Sequence, residues 1–334
     1  MKNKINKFIY RYDIIKYIIV IVFLEISFSQ KIMIPMDQLQ TDHLKAYGVA
    51  FWTLKNNKNV DWLLNFRGGS FIIDNNNDIE RELKVRGVYY EIINTPSLTE
   101  IFATIEENNM DMVLLEKLPK IAVYSPPGKQ PWDDAVTLAL TYAEIDYDII
   151  FDEEVLTNKL IEYDWLHLHH EDFTGQYGKF YKNYRNASWY KNMENEFNKT
   201  AKKFGYTSVH KLKKNIAKKI KEYIQNGGFL FAMCSATDSF DIALAAYDVD
   251  IASNVYDNTP IDPEFANKID YSNSIAFENY DLYTNPMTYE YSTIDIPPSH
   301  MPITKGAEAD YFTLFEFSAK WDPVPTMLTQ NHVS

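Results

Sequence analysis

The chain predicts an α/β fold: a mostly parallel, doubly wound sheet with helices on both faces, preceded by a small α+β unit. Three observations carry this. Short apolar runs alternate with helix-period segments between residues 121 and 246, the order expected of βαβ units. A long amphipathic stretch ends in Gly227-Gly228 and passes directly into the apolar run 229–233. The 334 residues are 46% hydrophobic, enough to bury a sizeable core in one or two domains.

The elements are justified in chain order. Residues 31–36 read as a strand. Residues 42–54 have helical spacing, with Leu44, Tyr47, Phe51 and Leu54 on one face. Residues 62–66 and 70–73 flank Arg67-Gly68-Gly69, a hairpin turn, and the Asn-rich residues 74–78 read as a loop. A strand at 88–93 and a helix at 97–107 complete the unit, which spans 30–118. The larger unit, 119–334, starts with a strand at 121–124. A helix at 133–142, a strand at 147–151, a helix at 153–161 and a strand at 164–169 follow. A tyrosine-rich stretch leads to a helix at 207–225, a strand at 229–233 and a helix at 239–246. Residues 247–310 are irregular. Late strands are expected at 310–317 and 324–328, and the lack of a closing element after them predicts a sheet incomplete at its C-terminus.

Residues 1–29 have the pattern of a signal peptide. Lys2, Lys4, Lys7 and Arg11 precede an apolar run over 17–24 that continues to Phe28. The run is short for a membrane span, so we expect cleavage near 29–31, an extracytoplasmic protein and no membrane insertion after cleavage; an uncleaved anchor is the alternative. The net charge of −13 disfavours nucleic acid as a partner, because phosphates need lysine and arginine. The lysines between 199 and 221 alternate with apolar residues and read as the solvated face of a helix. A single cysteine, Cys234, excludes an internal disulfide.

Ligands of parallel sheets bind at the carboxyl ends of the strands, and three such ends carry candidate chemistry. The first is 125–134, where a Pro-Pro-Gly turn enters a helix whose positive end Asp133 and Asp134 already occupy. The second runs from His167 through His169, His170, Glu171 and Asp172 to Gly175. Histidine with carboxylate suits proton transfer or zinc, but the spacing fits no standard zinc signature, so no metal and no cofactor are assigned. The third is Ala232-Met233-Cys234-Ser235-Ala236. Small residues two before and two after a central nucleophile are what a strained strand-to-helix elbow requires. A buried cysteine at a strand end is the competing reading.

Gly227-Gly228 followed by Cys234 in an elbow resembles the class I glutamine amidotransferase-like fold, a flavodoxin-like arrangement. That resemblance implies Cys234 as nucleophile and a glycine loop near Gly175 as oxyanion donor, with His169 or His170 the nearest base. The family's late His and acid have no clear counterpart here: His332 has no acid two residues on. The segments 61–69, 131–135, 163–178 and 317–325 resemble an exported family from Bacteroidetes commonly labelled asparagine synthetase B. That label implies ATP cleavage on a Ser-Gly-Gly-x-Asp-Ser loop. The stretch 234–239 keeps the Asp238-Ser239 pair but carries Ser235 and Ala236 where the glycines stand, and Lys2 stands where a glutaminase half has Cys.

The expected function is a thiol-dependent hydrolase or amidase acting on a small molecule or peptide. One alternative is a non-catalytic glycan- or peptide-binding module that uses Trp165, Tyr177, Tyr181, Tyr184, Trp189 and Tyr190. The other is ATP-dependent asparagine synthetase activity.

Overall fold

The computed structural model describes residues 30–127 and 135–295. The expected signal segment, Asp133, Asp134, His332 and the expected strands at 310–317 and 324–328 lie outside the described residues. The chain divides into two units between Leu118 and Pro119, with Tyr142–Ile145 grouped with the first.

The first unit is built on period-2 alternation. Strands β1 (Lys31–Ile34), β2 (Val60–Leu64), β3 (Phe71–Asp74), β4 (Glu91–Ile93) and β5 (Asp111–Leu115) form an antiparallel sheet in the order β4-β1-β3-β2-β5. Ile32, Ile34, Phe71 and Ile73 point to one face and Met33 and Ile72 to the other, as successive strand residues must. Helices α1 (His43–Lys55) and α2 (Asn77–Arg86) cover the first face through Ala46, Val49, Ala50, Leu54, Ile79 and Leu83. Helix α3 (Thr95–Glu107) covers the second through Ile101 and Ile105.

Two sequence expectations change in this unit. The buried face of α1 is set by Ala46, Val49 and Ala50, while Leu44 and Tyr47 are 43% and 40% exposed. The Asn-rich "loop" is a helix start: the Asn76 side chain accepts from Asp78 N, and Gly87, at φ 70°, ends α2 one residue past Arg86. Only Ile79 and Leu83 are buried in α2, so its apolar signal is a single pair four residues apart.

The second unit holds a wholly parallel sheet. Strands β6 (Ile121–Tyr124), β7 (Asp148–Ile150), β8 (Trp165–Leu168) and β9 (Phe229–Ala232) lie in the order β7-β6-β8-β9. Helix α4 (Ala135–Ala143) follows β6 and α5 (Asp152–Leu156) follows β7. Helices α6 (Ser188–Lys203) and α7 (Val209–Gln225) follow β8, and α8 (Ser235–Ala245) follows β9. One core gathers Ala122, Tyr124, Ile150, Leu166 and Leu168 from the sheet with Val155, Phe197, Leu212, Ile216, Ile220 and Phe240 from α5, α6, α7 and α8.

Covering by helices on both faces was expected; on the side opposite this core, Phe229 and Phe231 of β9 remain 58% and 45% exposed. No helix of the described residues is long and apolar enough to cross a membrane. Two further expectations are corrected. Lys213 and Lys214 of α7 are buried, not solvated. Tyr177 and Tyr190 belong to the core rather than to an aromatic surface, and only Tyr184 of that expected surface is exposed.

Candidate functional site

Parallel register sets the edge on which the site forms. Leu168 pairs with Ala232 and Val123 with His167, so Tyr124, Leu168 and Ala232 finish close to level. The next residues along each strand, Ser125, His169 and Met233-Cys234, therefore emerge at the same edge. The chain leaves the β8 ladder at His169, whose backbone N–H turns to the Glu171 carboxylate at 2.8 Å. Asp172, buried, then organises the loop by accepting from Thr174 N (2.7 Å), Thr174 Oγ1 (2.6 Å) and Gly178 N (3.1 Å).

Cys234 sits between β9 and α8 with φ 53° and ψ −143°. That backbone region is nearly reserved for glycine and costs a cysteine on the order of 1–3 kcal/mol, so the surroundings must hold it. They do so through the first turn of α8, which grips three successive carbonyls of the histidine loop. Ala236 N–H donates to His169 O (3.2 Å), Ser235 Oγ to His170 O (3.1 Å) and Ser239 Oγ to Glu171 O (2.8 Å). Helix α8 begins four residues earlier than its sequence pattern suggested, because Ala236 N–H, a first-turn donor, finds the His169 carbonyl and the two serine hydroxyls tie the same turn to the loop.

The result is a cluster. The Cys234 thiol and one ring nitrogen each from His169 and His170 all lie within 4.8 Å of one another. The two imidazole rings have centroids 3.5 Å apart and are tilted by 30°. Cys234 is exposed and both histidines are half-buried. Desolvation raises the thiol pKa, the Ser235 N–H pulls it down, and the carboxylates of Asp238, Asp295 and Glu171 push it up again. Its resting state at neutral pH is the thiol. Tyr289 lies near enough to sense the sulfur charge. Its loop is anchored by Lys179 Nζ, which donates to Tyr283 O (2.6 Å) and Asn285 O (3.3 Å); burial pulls that amine down to about 8.

A cavity of about 60 Å³ opens beside the histidines, room for several waters or one small functional group. Ser125 and Pro126 from the end of β6, Phe151 after β7 and His169–Asp172 after β8 line it. Lys213 of α7 contributes from the helix layer. Its ammonium donates to Asp152 Oδ1 (2.7 Å) and Tyr124 OH (3.0 Å), and Tyr124 OH donates to the same Asp152 oxygen. The ammonium also lies 4.2 Å from the Phe151 ring centroid and 4.6 Å from that of Phe197.

Of the sequence candidates, Cys234, His169 and His170 are thus brought together, and His167 and Gly175 are not part of the group. His167 is buried in the sheet, with its ring stacked on Phe231 at 5.2 Å. Gly175 is explained by packing. Its φ is +79°, and a Cβ there would meet His210 Cα at 2.5 Å, so it lets the loop press against the start of α7. The expected oxyanion role for Gly175 has no support from this placement; the backbone N–H directed at the sulfur is that of Ser235.

Sequence reading missed Lys213, Asp152 and Tyr124; Asp238, noted there only for its pairing with Ser239, is buried and raised to about 8 by burial and the Asp295 carboxyl. The available signal for Lys213 was its place on the apolar stripe of α7, next to Leu212 and Ile216.

Comparison with known protein families, with curated proteins and with solved structures returned no match to this chain.

Proposed function

We propose that this chain is a thiol-dependent hydrolase or amidase, and the observation that carries the reading is the backbone of Cys234. A residue held at φ 53° and ψ −143° at a strand-to-helix turn, with two imidazoles within 4.8 Å of its sulfur, has the form of a nucleophile elbow. The strand order β7-β6-β8-β9 supports a flavodoxin-like arrangement. In that order the direction of winding reverses between β6 and β8, and the cavity lies at their carboxyl ends, where ligands of such sheets bind.

The chemistry follows from the protonation state. Because the thiol is protonated at rest, attack on a substrate carbonyl needs a base in the transition state. His169 or His170 takes the thiol proton as the S–C bond forms, then gives it to the departing amine as the C–N bond breaks. Water, deprotonated by the same imidazole, hydrolyses the thioester. The Ser235 N–H, the residue after the nucleophile, is the natural donor to the developing oxyanion. Transfer needs a contact of about 3 Å, so the imidazole closes on the sulfur when substrate binds. The substrate is a small molecule or peptide whose polar oxygen reaches the one Lys213 N–H not used by Asp152 and Tyr124.

This reading carries with it an exported protein of the Bacteroidetes family and the amidotransferase-like resemblance. The ATP-dependent asparagine synthetase reading is weaker. Ala236 N and Thr237 N donate to His169 O and Cys234 O, and Ser239 N donates to the Asp238 side chain, so the donors a pyrophosphate would need are engaged. The binding-module reading loses Tyr177 and Tyr190 to the core.

The test is alkylation of the folded protein by iodoacetamide across pH, alongside amine release from a panel of small amides and peptides. Alkylation at neutral pH that slows in a folded variant carrying both His169→Gln and His170→Gln, with turnover abolished in Cys234→Ala, supports the reading. Alkylation indifferent to both imidazoles, or amine release undiminished in Cys234→Ala, sinks it.

A further inference from the structure

We propose that Cys234, His169 and His170 also form a three-ligand site for zinc, and that zinc occupancy silences the thiol. Three observations converge on it. The donor set is one thiolate and two imidazoles, the ligand chemistry zinc prefers. The three atoms lie within 4.8 Å of one another, whereas ligands on one tetrahedral zinc, at about 2.0–2.3 Å from it, sit roughly 3.3–3.8 Å apart. Reaching those separations takes no more than about 1 Å of side-chain movement by an exposed cysteine and two half-buried histidines.

The two segments that supply the ligands are already tied together. Ser235, Ala236 and Ser239 clamp the carbonyls of His169, His170 and Glu171, so metal binding need not order a loop. The surroundings also favour a cation. Glu171 lies in the same loop as both histidines and acts electrostatically on the sulfur, and the whole chain is acidic. The ligands come from two different strand ends, β8 and β9, which is why no linear zinc spacing is visible in the sequence.

Binding is balanced by proton release. The thiol loses its proton to solvent as the S–Zn bond forms, both imidazoles bind as neutral ligands, and the fourth position is left to water. A sulfur bonded to zinc has its lone pair engaged and its base occupied. The site as a metal site does not depend on the hydrolase reading; the silencing does, because it concerns the same nucleophile.

The experiment uses the purified, reduced and chelator-stripped protein, titrated first with cobalt(II) and then with zinc(II). A thiolate-to-cobalt charge-transfer absorption that saturates at one equivalent and is displaced by zinc is expected. Loss of one ligand in Cys234→Ser, His169→Gln or His170→Gln should weaken zinc binding by about tenfold or more, with circular dichroism confirming that each variant is folded. One equivalent of zinc should slow alkylation of Cys234 by at least about tenfold. No charge-transfer band, or a band indifferent to both histidine variants, overturns the metal site. Alkylation unchanged by stoichiometric zinc overturns the silencing. If zinc binds as expected while alkylation of the metal-free thiol is indifferent to the two imidazoles, the hydrolase reading falls and the metal site stands.

Discussion

The two units solve the same problem, covering a sheet with helices, but they bury different things. Among the described residues of 30–118, the polar residues buried as a whole are Gln40, Thr53 and Ser70, none of them ionisable, and the one guanidinium side chain drawn inward, Arg86 at 8% exposure, is paired with Glu82 (3.1 Å). Residues 119–295 bury Asp152, His167, Asp172, Lys179, His210, Lys213, Lys214, Asp238 and Asp241. Ion pairs of the first unit, such as Arg67 with Asp37 (2.7 Å) and Glu91 (3.0 Å), stay partly in water. Buried charge is expensive unless it is paired, and it concentrates where a fold is shaped for chemistry. The contrast is in keeping with the proposed chemistry of the second unit.

Breaking a pair in each unit should expose the difference most strongly. Asp152→Ala leaves the Lys213 ammonium buried without its carboxylate, and should cost about 3–5 kcal/mol in urea unfolding. Asp37→Ala, at a half-exposed pair, should cost no more than about 1 kcal/mol. Equal losses would remove the distinction drawn here.

Glycine substitutions sharpen it next. Gly175→Ala must accommodate both a positive φ and a Cβ 2.5 Å from His210 Cα, for a loss of about 2–4 kcal/mol. Gly87→Ala at the end of α2 meets no neighbouring atom within 4 Å and should lose only about 1 kcal/mol. The denaturation midpoints of the two variants give the comparison directly.

The pH dependence should belong to the second unit. Asp238 is held up to about 8 by burial and the Asp295 carboxyl, against about 3.9 for an unfolded aspartate. Between those values the native state keeps a proton that the unfolded chain has released. The stability this group contributes is therefore complete below about pH 4 and is lost as pH rises through about 8. Asp238→Asn should flatten that decline and raise stability at about pH 8 by on the order of 1–2 kcal/mol. A thermal melting series with the same slope in both proteins would count against the assignment.

The smallest effect concerns the elbow itself. Cys234→Gly relieves the backbone region at φ 53° and should stabilise the protein by about 1 kcal/mol while removing the thiol. A loss of stability would mean that the cysteine side chain contributes more by packing than its backbone costs.

The amino-acid pattern alone determined a good deal. The alternation at Ile32, Met33 and Ile34, the hairpin around Gly68-Gly69 and the strands at 121–124 and 229–232 are local periodicities, and local periodicity is written in sequence. The small neighbours of Cys234, Ala232 and Ala236, likewise mark a sharp turn in the sequence itself. Helix α2 escaped because two buried residues are too few to make a stripe, and β5 because its side chains are largely exposed. Only tertiary structure decided that His169 and His170 meet Cys234, since that depends on the register of β8 against β9, more than sixty residues apart in the chain. It also turned Lys213 from an apparent surface lysine into the buried partner of Asp152 and made Gly175 a packing residue. Sequence records what each segment prefers over a few neighbours; which polar groups end up sharing one dry corner is fixed when the sheet and its helices close together.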